Sequence, residues 1–368
     1  EEWHNPDWPT GEWVRANITH VLRDSNTASQ DPAATGGGGQ NVRVVISIDG
    51  LEVSPVSMAE APDGRLFYNE LKTGNVRIMA NGVLQEAPFA TVEVATFGES
   101  GLLGLALDPD FPDNHYVYVL RTVPDGATGR PVSQEVIRFT DDQGKGVDPL
   151  VIVGGLPATK NSVHNGGRLE FGPDGKLWIT IGDGRPFPET LIASQDPSSY
   201  YGKVLRFNKD GSIPTDNPVP NSPVYAMGFR NPFGMAFHPV TGNLFVSENG
   251  PEDSDEINAV FPSGNYGWPK VRGTANRPER YVDPVYVWHQ PIAPSGLAFH
   301  PEDPNILFVC SAIGGELRAL TLGASFESVV GEEVIAKGCH LDAEVSRDGN
   351  LYISGFDSIR RVQLRTGP

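Results

Sequence analysis

A histidine precedes two glycines where a β-strand is expected to begin, in the stretch HNGGRLEFGPDGKLWITIGDG from His164 to Gly184. The rest of this stretch is typical of a β-hairpin, with a Pro-Asp-Gly turn between two apolar strands. Glycines at such a position let another group approach the backbone closely. A histidine beside them can serve as a base, as a metal ligand or as a packed polar residue, and its immediate neighbours leave all three open.

Three further stretches combine glycine or proline with polar residues directly before or after a strand. They are FGESGLLGLALDPDF from Phe97, YAMGFRNPFGMAF from Tyr225 and SENGPEDSDEINAVFPSGNYGWP from Ser247. Each adjoins a copy of a repeated unit, so we expect the polar residues to converge where the loops of those units meet.

The repeated unit is a strand, a turn similar to Pro-Asp-Gly, and a second strand. Six copies begin at Met58, Leu105, Leu169, Met235, Leu297 and Ala343. Six such hairpins, with further short strands between them and no long amphipathic helix, predict an all-β fold, a six-bladed β-propeller. A β-sandwich is the alternative, but six similar units are hard to place in one.

The predicted domain organisation is an irregular N-terminal arm or linker over residues 1–40 and a propeller over residues 41–368. The strand NVRVVISIDGL near Asn41 is expected to complete the last blade and close the ring. Propellers carry their sites on loops at one end of a central channel. We therefore expect His164, which lies where the chain enters an inner strand, to face that end.

Charge and composition limit the function. The formal net charge is −18 and no long apolar run is present, which argues against a nucleic-acid partner, an anionic membrane surface and a membrane span. The chain begins EEWHNPDW, without Met or an apolar leader, as expected of a mature or trimmed form. We expect a secreted or periplasmic location. Cys310 and Cys339 can form one disulfide or remain two buried thiols, and Asn17 begins a glycosylation sequon.

The motifs together resemble the soluble sugar dehydrogenases that depend on pyrroloquinoline quinone (PQQ), a family of six-bladed propellers. The likeness extends from about Gly98 to Pro269 and includes YYGKVLRFNKDGSIPTDNP, GFRNPFG and ENGPEDSDEIN followed by GNYGWP; it is weaker from Trp288 onwards. The resemblance implies a quinoprotein that oxidises an aldose or a related sugar with PQQ and Ca²⁺. It also implies an electron acceptor, a cytochrome or a dye.

The resemblance assigns roles to individual residues. His164 matches the general base that takes the proton from the anomeric hydroxyl, and Gly166 and Gly167 are expected to leave room for the cofactor and the sugar. Arg230 and Asn231 match the pair that faces the cofactor, where a guanidinium stabilises charge on the quinone oxygen. Glu99 and Asn249 are assigned to the same cofactor site.

Two calcium sites follow from the same likeness. Gly250 and Pro251 match residues whose backbone carbonyls hold the active-site Ca²⁺, which acts as a Lewis acid on the quinone. Glu256 and Tyr266 match ligands of a second, structural Ca²⁺. The alternative for the acidic run EDSDE is a solvated loop.

The chain departs from the family at several positions. Glu99 replaces the glutamine, and Val163 the aspartate, of the glucose dehydrogenase branch. His340 stands where an arginine is expected, and neither Arg318 nor Lys337 can be given a role near the three carboxylates of PQQ. A propeller that only binds a carbohydrate or protein partner, stabilised by Ca²⁺, therefore remains the alternative function, and a calcium-dependent hydrolase is a weaker one.

Overall fold

The computed structural model describes residues 42–48, 51, 54–158, 162–184 and 192–364. The predicted arm over residues 1–40 and the sequon at Asn17 lie outside the described residues. Within them, six antiparallel sheets form the blades of a propeller, which confirms the predicted all-β, six-bladed fold. A single turn of α-helix, α1 (Phe111–Asn114), and one 3₁₀ turn (Ala193–Gln195) are the helical elements of the described part.

The first three blades follow one another along the chain, and each runs from its innermost strand outwards. Blade 1 consists of β2 (Pro55–Glu60), β3 (Arg65–Glu70), β4 (Asn75–Ala80), β5 (Val83–Leu84) and β6 (Ala90–Thr91). Blade 2 consists of β7 (Leu102–Leu107), β8 (Tyr116–Pro124), β9 (Pro131–Asp142) and β10 (Lys145–Leu156). Blade 3 consists of β11 (Gly166–Phe171), β12 (Leu177–Ile181), β13 (Lys203–Phe207) and β14 (Val224–Met227).

The remaining blades repeat this order, and the last one closes the ring. Blade 4 consists of β15 (Pro232–Phe237), β16 (Leu244–Glu248), β17 (Asp255–Val260) and β18 (Tyr286–Trp288). Blade 5 consists of β19 (Pro294–Phe299), β20 (Ile306–Ser311), β21 (Glu316–Leu322) and β22 (Val329–Lys337). Blade 6 consists of β23 (Asp342–Val345), β24 (Leu351–Ser354), β25 (Ile359–Leu364) and β1 (Val42–Ile48).

Ring closure follows the prediction, since β1 pairs antiparallel with β25 as the outermost strand of blade 6. All six predicted hairpins form the two inner strands of a blade. Apolar side chains between neighbouring blades make the core; between blades 1 and 2, for example, Phe67 packs edge to face against Phe89 and Phe111. Such burial is the main stabilising contribution to this fold.

Polar contacts cross the channel and divide it. Arg168 of β11 donates from Nη1 to Oδ1 of Asp342 on β23 at 2.6 Å, and Met58 of β2 donates its backbone N–H to Oδ2 of Asp342 at 2.8 Å. Innermost strands of three blades are thereby joined.

On one side of these contacts, the channel contains a cavity of about 790 Å³ whose lining includes Glu60, Glu170 and Glu344. Burial raises the pKa of all three carboxyls, that of Glu170 to about 7.

Cys310 and Cys339 form a disulfide, which decides between the two alternatives left by the sequence. Cys310 belongs to β20 of blade 5, and Cys339 lies in the connection from β22 to β23. Both residues are fully buried. The bond therefore ties the fifth blade to the entry of the sixth.

Candidate active site

The predicted polar residues gather at one end of the channel because each precedes an innermost strand. Glu99 precedes β7, His164 precedes β11, Arg230 precedes β15 and His340 precedes β23. All innermost strands of a propeller run in the same direction, so their starts meet at one mouth. The cavity that contains Glu170 lies at the opposite ends of these strands.

His164 is paired with a carboxylate. Its Nδ1 lies 2.8 Å from Oδ1 of Asp183, and Trp268 donates its indole N–H to Oδ2 of the same carboxylate at 2.8 Å. His164 and Asp183 are 9% and 1% exposed. A carboxylate accepts hydrogen bonds, so the Nδ1–H of His164 donates to Asp183 and its Nε2 retains a free lone pair.

Neither Asp183 nor Trp268 had been assigned a role from the sequence. Both occur in quoted motifs, Asp183 in ITIGDG and Trp268 in GNYGWP. The sequence signal for Asp183 is an aspartate beside a glycine at the end of a strand. Its contact with His164 follows only from the three-dimensional structure.

Glu99 is fixed beside His164 from the neighbouring blade. Its Oε2 accepts the backbone N–H of His164 at 2.7 Å, and its own N–H donates to the carbonyl of Ser162 at 2.7 Å. Lys72, which sequence reasoning missed, donates from Nζ to the carbonyls of Gly98 and Ser100 at 2.6 Å. The ammonium of Lys72, from the connection between β3 and β4, thus contacts the loop that carries the Glu99 carboxylate.

Backbone conformation and packing constrain the two glycines after His164. Both have positive φ, 62° for Gly166 and 99° for Gly167. A Cβ at Gly166 would lie 2.8 Å from the backbone nitrogen of Gly182, and one at Gly167 would lie 2.7 Å from the side chain of Leu103. Left-handed backbone and tight packing between blades therefore require the glycines, and the room they leave for a ligand stays a prediction.

Arg230 reaches across its loop to the residues predicted to hold Ca²⁺. It donates from Nη1 to the carbonyl oxygens of Asn249 and Gly250 at 2.6 and 3.0 Å, and its backbone N–H donates to Glu248. Its guanidinium carbon also lies 5.6 Å from the centre of the Trp268 ring. Burial lowers the pKa of Arg230 from its usual value, but a guanidinium remains protonated at neutral pH.

The two predicted asparagines connect blades at the same mouth. Oδ1 of Asn231 accepts the backbone N–H of Gly166 at 3.2 Å, which links blade 4 to the loop of His164. Nδ2 of Asn249 donates to the carbonyl of Pro294 in blade 5 at 3.2 Å. The NH₂ group of Asn231 is therefore the part of this amide that can donate to a ligand.

Gly250 and Pro251 form a tight turn. The carbonyl of Pro251 accepts the backbone N–H of Ser254 at 3.1 Å, and the N–H of Gly250 donates to Asp255 at 3.0 Å. Asp255 also accepts backbone N–H groups of Ile292 and Ala293, each at 2.8 Å. The buried carboxylate of Asp255 thus connects the turn to the residues before β19.

Two buried carboxylates lie next to this turn. Nδ2 of Asn258 donates to Glu256 at 3.1 Å and to Glu248 at 3.4 Å, so one amide serves both. Burial and mutual repulsion raise the pKa of Glu248 well above its usual value, and burial raises that of Glu256 to about 7. Such a pair is stabilised by a proton or by a cation.

Tyr266 and Glu256 line one small cavity together with Arg230, Gly250, Pro251 and Arg272. The hydroxyl of Tyr266 donates to the carbonyl of Ala259 at 2.6 Å and accepts the N–H of Phe261, so it is already engaged. In the residues that the structure describes, no group of three or more histidine, cysteine, aspartate or glutamate side chains is arranged to hold a metal ion. Backbone carbonyls would have to complete any such site.

The basic residues of the last blades have different surroundings, because two of them form ion pairs and, in the described ranges, His340 does not. Arg318 and Lys337 lie on β21 and β22, where they form ion pairs with Glu316, and Arg318 also pairs with Glu332. His340 remains at the mouth. Its Nδ1 is buried and, within the described residues, has no hydrogen-bond partner, and burial lowers its pKa.

Six blades around a channel, with a histidine–carboxylate pair and a half-buried arginine at one mouth, define the class: a six-bladed β-propeller with its site at the end of the channel. The chain belongs to the Glucose / Sorbosone dehydrogenase family, whose model matches residues 52–358. It is accordingly an oxidoreductase of the sugar dehydrogenase class. No helix in the described residues has the length and apolarity needed to cross a membrane.

Relatives and solved structures agree with this family. The chain is 30% identical to the aldose sugar dehydrogenase YliI of Escherichia coli, over 89% of this chain and 88% of that protein. It is 39% identical to quinoprotein glucose dehydrogenase B of Acinetobacter calcoaceticus, over 60% of this chain and 51% of that protein. The PQQ-bound form of an aldose sugar dehydrogenase from Streptomyces coelicolor superposes with a TM-score of 0.78 at 27% identity, covering 90% of this chain and 100% of that chain.

Proposed function

We propose that the protein oxidises an aldose or a related sugar at the anomeric carbon, with PQQ as cofactor, Ca²⁺ as its metal and His164 as general base. The observation that carries the proposal is the 2.8 Å contact between Nδ1 of His164 and Oδ1 of Asp183 at the channel mouth. A histidine held in one tautomer by a buried carboxylate is well suited to accept a proton.

His164 takes the proton of the anomeric hydroxyl at Nε2. Asp183 accepts the Nδ1–H throughout, so the imidazolium that forms is stabilised by an adjacent negative charge. The low exposure of both residues strengthens this attraction, because water does not screen it. PQQ bound beside His164 would supply the acceptor for the hydride of the anomeric carbon, and the sugar would leave as its lactone.

Arg230 stabilises negative charge that develops beside it during the transfer. Its guanidinium is half-buried and is oriented by two carbonyl oxygens, which makes it a preorganised donor. Preorganised charge in a dry site is typically the largest single contribution to catalysis.

The donors at this mouth suit a flat tricarboxylate. Arg230, Lys72 and Arg272 supply positive charge, and the amide of Asn231 supplies a further donor. Glu99 places a carboxylate among them, and its oxygens accept hydroxyl groups of the sugar better than carboxylates of the cofactor. We therefore assign Glu99 to the boundary between cofactor and substrate.

The oxygen atoms beside this site suit Ca²⁺. The carbonyls of Asn249 and Gly250 converge on a cation, the guanidinium of Arg230. The same cation partly offsets the charge of the buried Glu248 carboxylate, which Glu256 repels. Hard cations take carbonyl and carboxylate oxygens at flexible geometry. In this proposal Gly250 and Pro251 hold the active-site ion, Glu256 with Tyr266 a second one, and bound Ca²⁺ supplies Lewis acidity.

The electrons leave to an acceptor such as a cytochrome or a dye, and the enzyme works in a secreted or periplasmic setting. The disulfide between Cys310 and Cys339 supports that location, because such bonds persist in oxidising compartments.

The experiment that tests the proposal is reconstitution. Metal-free protein is mixed with PQQ and Ca²⁺, the absorbance of the bound quinone is recorded, and a panel of aldoses is added without acceptor. We expect the quinone spectrum to change to the reduced form with at least one sugar. Bound quinone that no sugar reduces would refute the substrate class, and failure to bind PQQ would favour the non-catalytic alternative.

A further inference from the structure

The segment over residues 270–280, called here the basic segment, carries four exposed cations, Lys270, Arg272, Arg277 and Arg280. It contains a single acidic residue, Glu279, in a chain whose net charge is −18. A local excess of positive charge is therefore an exception on this surface.

The four cations of the basic segment take part in no ion pair within the part of the chain that the structure describes. Arg272 and Arg280 instead lie over the aromatic rings of Trp268 and Tyr281, with guanidinium carbons 5.9 and 5.5 Å from the ring centres. Stacking of this kind leaves the N–H edges of the guanidinium free for an anion. Arginines elsewhere on the propeller contact carboxylates, namely Arg65, Arg121, Arg206 and Arg318.

The basic segment adjoins the candidate active site. It follows Trp268, whose indole N–H donates to Asp183 at 2.8 Å, and the backbone N–H of Gly273 donates to Glu256 at 2.8 Å. Acids border the segment: Glu252 and Asp253 are exposed on the preceding loop, and Asp283 accepts the backbone N–H groups of Ala275 and Asn276. Charge on the basic segment therefore acts on a charged molecule that approaches the channel mouth next to Trp268.

We infer that the basic segment is the docking surface for the negatively charged face of the redox partner that collects electrons from this site. The inference rests on the proposed function. Oxidation of one aldose to its lactone releases two electrons and two protons; the partner takes the electrons, singly if it is a one-electron carrier, and the protons pass to solvent. The remaining negative surface repels an acidic partner, so attraction at one segment orients its approach.

The test uses holoenzyme that has first been reduced by its sugar. The double variant Arg277→Gln, Arg280→Gln removes two charges of the basic segment, and Lys145→Gln, Arg347→Gln removes two exposed charges elsewhere as a matched control. Reoxidation is followed by stopped flow with ferricyanide, a trianion, and with hexaammineruthenium(III), a trication. Each variant's reoxidation rate is divided by the wild-type rate with the same acceptor, so that the difference in driving force between the two acceptors cancels.

We expect the basic-segment variant to be reoxidised about tenfold more slowly by ferricyanide at low salt and faster by the ruthenium complex. The difference should vanish near 1 M salt, where charges are screened beyond about 3 Å. Reduction of the quinone by sugar, which tests the proposed function separately, should match wild type in both variants. Equal ferricyanide rates for wild type and both variants would overturn the inference.

An anionic substrate is the competing occupant. If the basic-segment variant loses only its reduction by glucuronate, while reoxidation by ferricyanide is unchanged, the segment recognises acidic sugars and the inference is wrong. Binding of the redox-inert trianion hexacyanocobaltate(III) to cofactor-free protein, measured by calorimetry, provides a readout that does not need a working enzyme. It should weaken in Arg277→Gln, Arg280→Gln and stay constant in the control; equal binding in all three proteins would count against the docking surface.

Discussion

The guanidinium of Arg230 donates to the carbonyl oxygen of Gly250 at 3.0 Å, so a residue expected to face the cofactor contacts one expected to bind Ca²⁺. The cofactor contact predicted for Arg230 and the Ca²⁺ ligation predicted for Gly250 therefore meet at one oxygen atom.

Calcium should stabilise the protein as well as complete its site. A ligand that binds only the folded state adds about 2.7 kcal/mol at a hundredfold excess over its dissociation constant. We expect chelation to lower the melting temperature at pH 7.5, and Glu256→Gln to reduce that response. Scanning calorimetry with and without chelator measures it, and the same melting temperature in both conditions would rule out tight calcium binding.

The carboxyls inside the channel should make the folded state less stable as pH rises. Burial raises the pKa of Glu170 from its usual 4.5 to about 7 and raises those of Glu60 and Glu344. The folded state therefore binds these protons more tightly than the unfolded chain, and stability present below pH 4.5 is lost as pH rises through about 7.

The measurement is the melting temperature at pH 5, 6.5 and 8 in the presence of chelator. The melting temperature of Glu170→Gln minus that of wild type should be more positive at pH 8 than at pH 5. The exposed control Glu93→Gln should follow wild type at all three pH values. Parallel curves for wild type and Glu170→Gln would contradict the assignment.

PQQ should bind this chain more tightly at low pH. His340 stands where the family has an arginine, and burial lowers its pKa, so it carries positive charge only in acid solution. Each charge-assisted hydrogen bond to a carboxylate contributes about 1.5–3 kcal/mol. Titration of PQQ at pH 5.5 and 8 with saturating Ca²⁺ should show stronger binding at pH 5.5, and His340→Arg should remove most of the difference. Nanomolar binding at both pH values, unchanged in the variant, would show that other groups hold the carboxylates.

The disulfide should contribute substantially to stability. It closes a loop between residues 29 positions apart, for which chain entropy predicts about 3–4 kcal/mol. We expect the Cys310→Ser, Cys339→Ser variant to unfold at lower denaturant concentration than oxidised wild type and to be insensitive to reductant. A wild-type midpoint that reductant leaves unchanged, with both thiols shown to be free, would contradict this contribution.

The fold was predictable because its signals are local. A turn such as Pro-Asp-Gly between two apolar strands specifies a hairpin within about fifteen residues, and six copies specify the number of blades. The strand β1 was likewise predictable as the closing strand, since an alternating run near Asn41 had no partner nearby in sequence.

The site was only partly predictable, because its contacts join distant residues. His164 and Asp183 are 19 positions apart, and Trp268 lies 85 positions from Asp183, so neither partner follows from local pattern. The packing constraint on Gly167 was not predictable, because it comes from Leu103 in the neighbouring blade. The engaged hydroxyl of Tyr266 and the ion pairs of Arg318 also depend on packing that a single sequence does not reveal.

The most direct test of the account is the rate at which sugar reduces bound quinone in a single turnover, in wild type and in His164→Ala. Cofactor binding is first shown to be equal by absorbance, so that the rate reports on proton removal alone. We predict a loss of about 10²–10⁴-fold in His164→Ala. Asp183→Asn should lose less and alter the pH dependence of the rate, since an amide can donate to Nδ1 and displace the tautomer. Reduction at the wild-type rate in His164→Ala would show that this histidine is not the base.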